Sequence, residues 1–321
     1  MKYSIIVLGL LSFLLHCFTV AVDFSQLKGS AGKGRYFALS HDKQQIVTHA
    51  SDETCVYNRL DMGCVWKSRY WKKWLQKVLH LNADTNRQGV ACSCQEDLVA
   101  TVHDSRMIIV SKHENDGLKP IHTFCLQDAT SKVTSVSFVG KGTSLAVGCD
   151  NGTVYTLYVS KDGAYRKNKR IVSEDDVSIS ALSADAAGTM LVAVCKKAGK
   201  SEVKVFPIHK RNFEMRTKRS LDATPSVIKQ FGPEESDIIS VACSPGGDSF
   251  VIVHEGGKMQ LCKIDSNTQM PVAKWKTEGV CSVQYDDEEH LLVGYVDRYG
   301  PRIETVDLSE NFGGGKLSHD E

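Results

Sequence analysis

Three of the chain's four tryptophans fall inside one stretch, Arg59 to Gln76, which reads RLDMGCVWKSRYWKKWLQ. Trp66, Tyr70, Trp71 and Trp74 are interleaved there with Lys67, Arg69, Lys72 and Lys73, and the chemistry on offer is adhesion rather than turnover. Aromatic anchors supply much of the binding energy at protein interfaces. At helical spacing Tyr70, Trp71, Trp74, Leu75 and Val78 share one face, while Lys72, Lys73, Gln76 and Lys77 share the other. Such a pattern suits a docked partner, a lipid interface, or burial against the chain's own strands. Trp66, Arg69, Tyr70, Trp71, Lys72, Lys73 and Trp74 form the candidate partner-binding set. The expected partner is a protein, with weak membrane-surface contact as a further use.

Other chemistry is sparse. Asn151-Gly152-Thr153 fits the acceptor pattern for N-glycosylation, and Asn-Gly is equally the preferred two-residue hairpin turn. Lys218-Arg219, within HKRNFEMRTKRS (His209 to Ser220), offers a processing protease a dibasic site, or serves as a solvated basic loop. GSAGKGR (Gly29 to Arg35) imitates a phosphate loop but lacks the Ser or Thr after its lysine. The sequence contains no GxSxG elbow, no HExxH and no EF-hand loop. His41, His49, His103 and His254 are dispersed near expected strand ends, where a hydrogen-bonded structural role is the ordinary one. No catalytic residue, metal site or cofactor is expected.

Lys2 followed by an uncharged apolar run from Ile5 to Val22 has the form of a secretory leader, with a signal peptide over residues 1–21; an uncleaved N-terminal anchor is the alternative. Either places the remainder in the secretory lumen or outside the cell. A formal net charge of +1 argues against wholesale attraction to nucleic acid or anionic membrane, so function must reside in a local surface. Eleven cysteines are present, most of them inside apolar runs where cysteine behaves as a small hydrophobe; an oxidising compartment leaves disulfides open.

The elements that must position these residues show themselves as a repeat. Apolar stretch, turn, apolar stretch, turn and short apolar run recur from Val133 to Val159, Ser178 to Ile208, Ile238 to Ile264 and Val280 to Leu308, with weaker copies from Arg35 to Asn58 and Gly89 to Lys112. Anchors at Ile46, Leu98, Leu145, Leu191, Phe250 and Leu292 stand 52, 47, 46, 59 and 42 residues apart, near the period of four-stranded propeller blades. A fourth, outer strand is expected before each following repeat, at Val78 to Asn82, Ile121 to Leu126, Arg170 to Ser173, Val227 to Phe231 and Val272 to Lys276. The long intervals mark insertions at 59–76 and 209–237. The tail, 309–321, is polar and glycine-rich, so Asp23 to Lys28 is expected to supply the missing outer strand beside Arg302 to Leu308.

With SPGG (Ser244 to Gly247) at an SPDG-type turn and DNGTV (Asp150 to Val154) at a DG-x-V hairpin, this layout resembles the WD-repeat class of β-propeller. The Trp-Asp pair is absent from every repeat, the nearest being Val306-Asp307, and the Gly-His pair is missing too. The resemblance implies an all-β fold over 23–308: a six-bladed, alternatively seven-bladed, propeller of four-stranded antiparallel blades closed by an N-terminal strand. It also implies a monomeric, non-catalytic protein-binding scaffold. Two rivals are a channel-type enzyme, lactonase-like or glycan-processing, and an ER-lumenal folding or trafficking factor; the terminal Ser-His-Asp-Glu stops one leucine short of a retention signal.

Overall fold

The computed structural model describes residues 22–23, 37–39, 45–50, 53–58, 64–68, 90–93, 97–103, 105–114, 117–126, 131–140, 144–159, 165–172, 177–208, 227–231, 237–255, 257–264, 269–274, 280–297 and 300–308. After β1 (Val22–Asp23), the first sheet comprises β2 (Phe37–Leu39), β3 (Gln45–Ala50), β4 (Glu53–Asn58) and β5 (Cys64–Ser68). The second holds β6 (Val90–Cys92), β7 (Leu98–His103), β8 (Met107–Glu114) and β9 (Gly117–Cys125), and the third β10 (Val133–Val139), β11 (Ser144–Cys149), β12 (Val154–Val159) and β13 (Tyr165–Val172). The fourth is β14 (Ser178–Ala184), β15 (Met190–Lys197), β16 (Lys200–Pro207) and β17 (Val227–Phe231). The fifth is β18 (Ile238–Cys243), β19 (Ser249–His254), β20 (Lys258–Lys263) and β21 (Gln269–Lys274). In the last, β22 (Val280–Tyr285), β23 (His290–Asp297) and β24 (Gly300–Asp307) are joined by β1, with Val22 opposite Ile303 and Asp23 opposite Arg302.

Every pairing is antiparallel and every sheet follows chain order from its first strand outward, apart from the returning β1. The inner strands β2, β6, β10, β14, β18 and β22 adjoin one another in that order. Successive sheets face each other through apolar layers, such as Val102, Ile108, Leu145 and Leu157 between the second and third, and Val192, Val203, Ile238 and Phe250 between the fourth and fifth. All of Ser144–Cys149 is buried, because the strand is covered on both faces, and Leu145, Ala146 and Val147 accordingly follow one another without a polar break. The six anchors fall on the second strands of their sheets, and each is buried.

The same bond closes the fourth, fifth and sixth sheets at one end. Ile208 N–H donates to Thr189 C=O at 2.6 Å, Ile264 N–H to Asp248 C=O at 2.9 Å, and Leu308 N–H to Glu289 C=O at 2.7 Å. Turn chemistry follows the sequence: Gly188 adopts φ +70° between β14 and β15, and a Cβ there would lie 2.4 Å from Gly140 Cα in the neighbouring sheet. Only glycine satisfies both demands.

In four sheets the outer strands overlap the expected segments: β17 coincides with Val227 to Phe231, whereas β9, β13 and β21 begin four, five and three residues earlier than expected. The first sheet differs: its outer strand is Cys64–Ser68 rather than Val78 to Asn82, which lies outside the described residues. Trp66 therefore stands in a strand, opposite Val56, and the insertion begins after Ser68 rather than at Arg59. The physical reason is proximity: β4 needs a partner, and five intervening residues suffice for a hairpin. At the other end, β1 pairs one residue earlier than the expected Asp23 to Lys28 segment and runs no further than Asp23 among the described residues.

Candidate functional site

The six inner strands wall a cavity of about 410 Å³, lined among others by Phe37, Ala91, Ser135, Leu182, Ser240 and Ser282. Volume alone would admit a small molecule. The side chains around it are small, and many carry hydroxyls, because the inner strands crowd together and their outward-facing backbone groups need partners.

Those partners come from the neighbouring sheet. Ser135 Oγ accepts from Leu182 N–H at 3.0 Å and Ser137 Oγ from Ala184 N–H at 3.2 Å; Ser183 Oγ then accepts from Cys243 N–H at 2.9 Å, and Ser240 Oγ from Val283 N–H at 3.4 Å. Each hydroxyl thus stitches one inner strand to the next. A repeated β-bulge sets the aim: the ladder shifts between Val133 and Ser135, Ile179 and Ala181, Ile238 and Ser240, and Val280 and Ser282. Ser183→Ala leaves the buried Cys243 N–H without its acceptor and is expected to lower unfolding free energy by about 1–3 kcal/mol, read from urea denaturation. None of these serines stood out in the sequence, although their alternation in VTSVSF and SISALS was a readable signal once inner strands are known.

The turns that join the first and second strands of the fourth, fifth and sixth sheets carry acids, and Asp185 lines the cavity. Asp185, buried, accepts from Thr189 N–H, Thr189 Oγ1–H and Met190 N–H at 2.9, 2.7 and 2.8 Å. Ser244 Oγ donates to Asp248 at 2.8 Å, and this hydroxyl, against a smaller opposing effect of burial, holds the Asp248 carboxyl below its usual range. Between β22 and β23, burial disfavours the Asp287 carboxylate, but the N–H groups of Glu289 and His290 and the His290 imidazole outweigh it and depress its pKa. Asp287 in turn raises His290, with Asp307 and Glu289 adding to the field.

A raised imidazole stabilises the fold fully below its unfolded value of about 6.5, and that contribution fades as pH climbs through the higher folded value. Wild type should therefore melt above His290→Gln at about pH 5.5 and approach it at about pH 8.5, by a small margin because both partners are solvent-exposed. Equal differences at the two pH values, read by differential scanning calorimetry, would show that the pair contributes nothing.

Thiols at the cavity are poor nucleophiles. Burial pushes Cys243 up to about 12 and raises Cys92 as well. Cys92, Cys125, Cys149, Cys195, Cys243 and Cys262 are all unbridged, with Cys125 exposed. His103 lies 2.9 Å from Thr101 Oγ1, and the buried His254 3.3 Å from Gln260 Oε1, as suits structural histidines.

Of the residues marked in the sequence, Asn151 is exposed at the β11–β12 turn, where its Nδ2 donates to Ser131 Oγ at 2.6 Å and its Oδ1 accepts from Thr153 N–H at 3.1 Å. Trp66 belongs to β5. Arg69, Tyr70, Trp71, Lys72, Lys73, Trp74, Lys218 and Arg219 lie outside the described residues. The connection that carries the first six leaves the outer edge of the first sheet after Ser68 and returns at Val90, the start of the second.

No family model matches the chain, and no curated protein sequence matches it. Solved structures do resemble it. The β-propeller domain of Myceliophteria thermophila Cps50 (Swd1) superposes with a TM-score of 0.60 at 10% identity, covering 85% of this chain and 83% of that one. Kuenenia stuttgartiensis hydrazine synthase gives a TM-score of 0.61 at 10% identity, over 88% and 78% of the respective chains. At this identity the likeness concerns architecture, and the architecture is that of a β-propeller.

Proposed function

We propose that the six sheets are the blades of a closed, six-bladed, WD-repeat-like ring, exported through the secretory pathway, which serves as a non-catalytic platform for a protein partner. Support for closure comes from equivalent contacts. Gly148, opposite the bulge residue Ser135, lies against Ile179 and Leu182 of the following sheet, and Gly294, opposite the bulge residue Ser282, lies against Phe37 of the first. The pairing of β1 with β24 ties the chain's beginning to its last sheet in the same sense.

One observation carries the binding reading: Ser135, Ser137, Ser183 and Ser240 at the cavity are spent on joining inner strands, whereas the Trp- and Lys-rich segment lies in a connection between the outer edge of one sheet and the inner strand of the next. Connections of this kind run over the surface and carry recognition, held in place by a rigid scaffold. Trp71, Trp74 and Tyr70 are the anchors, and Arg69, Lys72 and Lys73 complement an acidic rim on the partner. Export follows from the leader-like residues 1–21.

Affinity capture from the secretory fraction tests this. Wild-type protein should retain a partner that the double variant Trp71→Ala/Trp74→Ala loses by at least about tenfold, since truncated aromatic hot spots cost roughly 2 kcal/mol or more each. Unchanged recovery by the double variant would remove the segment from the interface.

A further inference from the structure

We infer that the outer strand of the third sheet, β13, is a binding strip for a sulfated polysaccharide chain. Residues 166–170 read Arg-Lys-Asn-Lys-Arg, so four of five consecutive positions on this strand are cationic. Lysine on an outermost strand has an ordinary use, to discourage edge-to-edge pairing. The other outer strands meet that need with far less: Lys67 on β5, Lys119 and Pro120 on β9, Lys229 on β17, and Pro271 and Lys274 on β21. Four cationic positions within five residues exceed what protection requires.

Register adds a geometric point. Tyr155 pairs with Arg170, Thr156 with Lys169 and Tyr158 with Arg166, so β13 carries an extra residue at Lys167–Asn168. In a regular strand Arg166 and Lys169, three apart, would fall on opposite faces. The bulge places both on one face, that of Thr156 and Tyr158, while Arg170 stays on the face of Tyr155. The strip spans roughly 13 Å of extended backbone. Cationic residues placed in line along an outermost strand match a polymer with regularly spaced sulfates better than a single phosphate. With a net charge of only +1, the whole molecule offers no diffuse attraction, so retention must come from such a strip. Basic runs of this length are a general mark of heparin-like or nucleic-acid patches. Choosing the polysaccharide rests on the export proposed above, because sulfated chains are the abundant polyanions outside the cell.

Chromatography of the purified full-length chain on immobilised heparin tests the inference without depending on export. Wild type should be retained at 0.15 M NaCl and elute above about 0.4 M, where screening reaches within a few ångströms. Arg166→Gln/Lys167→Gln/Lys169→Gln/Arg170→Gln should elute near 0.15 M with an unchanged circular dichroism spectrum. If that variant aggregates, Arg166→Gln/Lys169→Gln keeps two charges on the edge and should lose about half the shift. Trp71→Ala/Trp74→Ala should elute with wild type. Three outcomes overturn the proposal: unchanged elution of the β13 variants; loss of retention on neutralising Lys210, Arg211, Arg216, Lys218 and Arg219 instead; or displacement by polyglutamate or phosphatidylserine vesicles as effective as by heparin, which would point to an acidic protein or a membrane.

Discussion

Gly294→Ala is expected to destabilise the protein by about 2–3 kcal/mol, although alanine is ordinarily at least as good as glycine in a strand. A Cβ at this position would sit 2.7 Å from Phe37 Cε1 and 3.0 Å from Cδ1, and Phe37 is itself buried in the first sheet. Gly148→Ala provides the calibration, because its Cβ would meet Ile179 Cγ2 at 2.6 Å and Leu182 Cδ1 at 3.0 Å across the junction of the third and fourth sheets. If the last sheet seats on the first as the third seats on the fourth, the two variants should fall by similar amounts, roughly 3–5 °C in melting temperature for a chain of this size. Phe37→Ala makes room for the new methyl. The double variant should therefore lose at least about 1 kcal/mol less than the sum of the two single losses. An open ring predicts something else: Gly294→Ala neutral or stabilising, Gly148→Ala still damaging, and no coupling to Phe37. Thermal melts of the wild type and these four variants decide between the outcomes.

Asp185→Ala should be the most damaging single change in the inner turns, at about 3–5 kcal/mol. Its carboxylate accepts two backbone N–H bonds and one hydroxyl bond from Thr189 and Met190, and alanine leaves the buried Met190 N–H without its acceptor and releases the N–H and hydroxyl of the exposed Thr189. The loss spreads, because Thr189 C=O receives the Ile208 N–H at the end of β16, and Asp185 closely approaches Gly247 in the next sheet. Asp185→Asn discriminates the cause. Its Oδ1 can keep both backbone bonds, and its amide can donate to Thr189 Oγ1, which reverses the direction of one bond without breaking it. Asparagine should recover most of the stability, leaving a deficit near 1 kcal/mol in urea denaturation. Equal losses for Ala and Asn would mean that charge, not hydrogen-bond satisfaction, holds the turn.

Much of the architecture was legible in the residues. Strands buried on both faces are apolar along most of their length, so the repeated short runs around Leu145, Leu191 and Phe250 announced stacked sheets, and Asn151-Gly152 and Pro245-Gly246-Gly247 announced the hairpins between them. Turn residues and alternation are local properties, and local properties survive in a string of letters. Outer strands were harder where they are short and polar: Cys64–Ser68 was hidden inside a stretch whose aromatic and basic residues also fit a helix, because a five-residue strand and an amphipathic turn share most of their pattern.

The serine stitches could not be read in advance for a different reason. Ser135 and Leu182 are 47 residues apart, and whether a hydroxyl meets the next sheet's N–H depends on the bulge and on the distance between sheets, which no window of sequence contains. The same holds for Gly148 and Gly294: the sequence by itself determined that no side chain stands there, but only the packed sheets decided that Ile179, Leu182 and Phe37 occupy the space instead. Periodicity specifies which residues turn inward; the contacts between sheets, set by the packing of whole layers, decide what each inward residue touches.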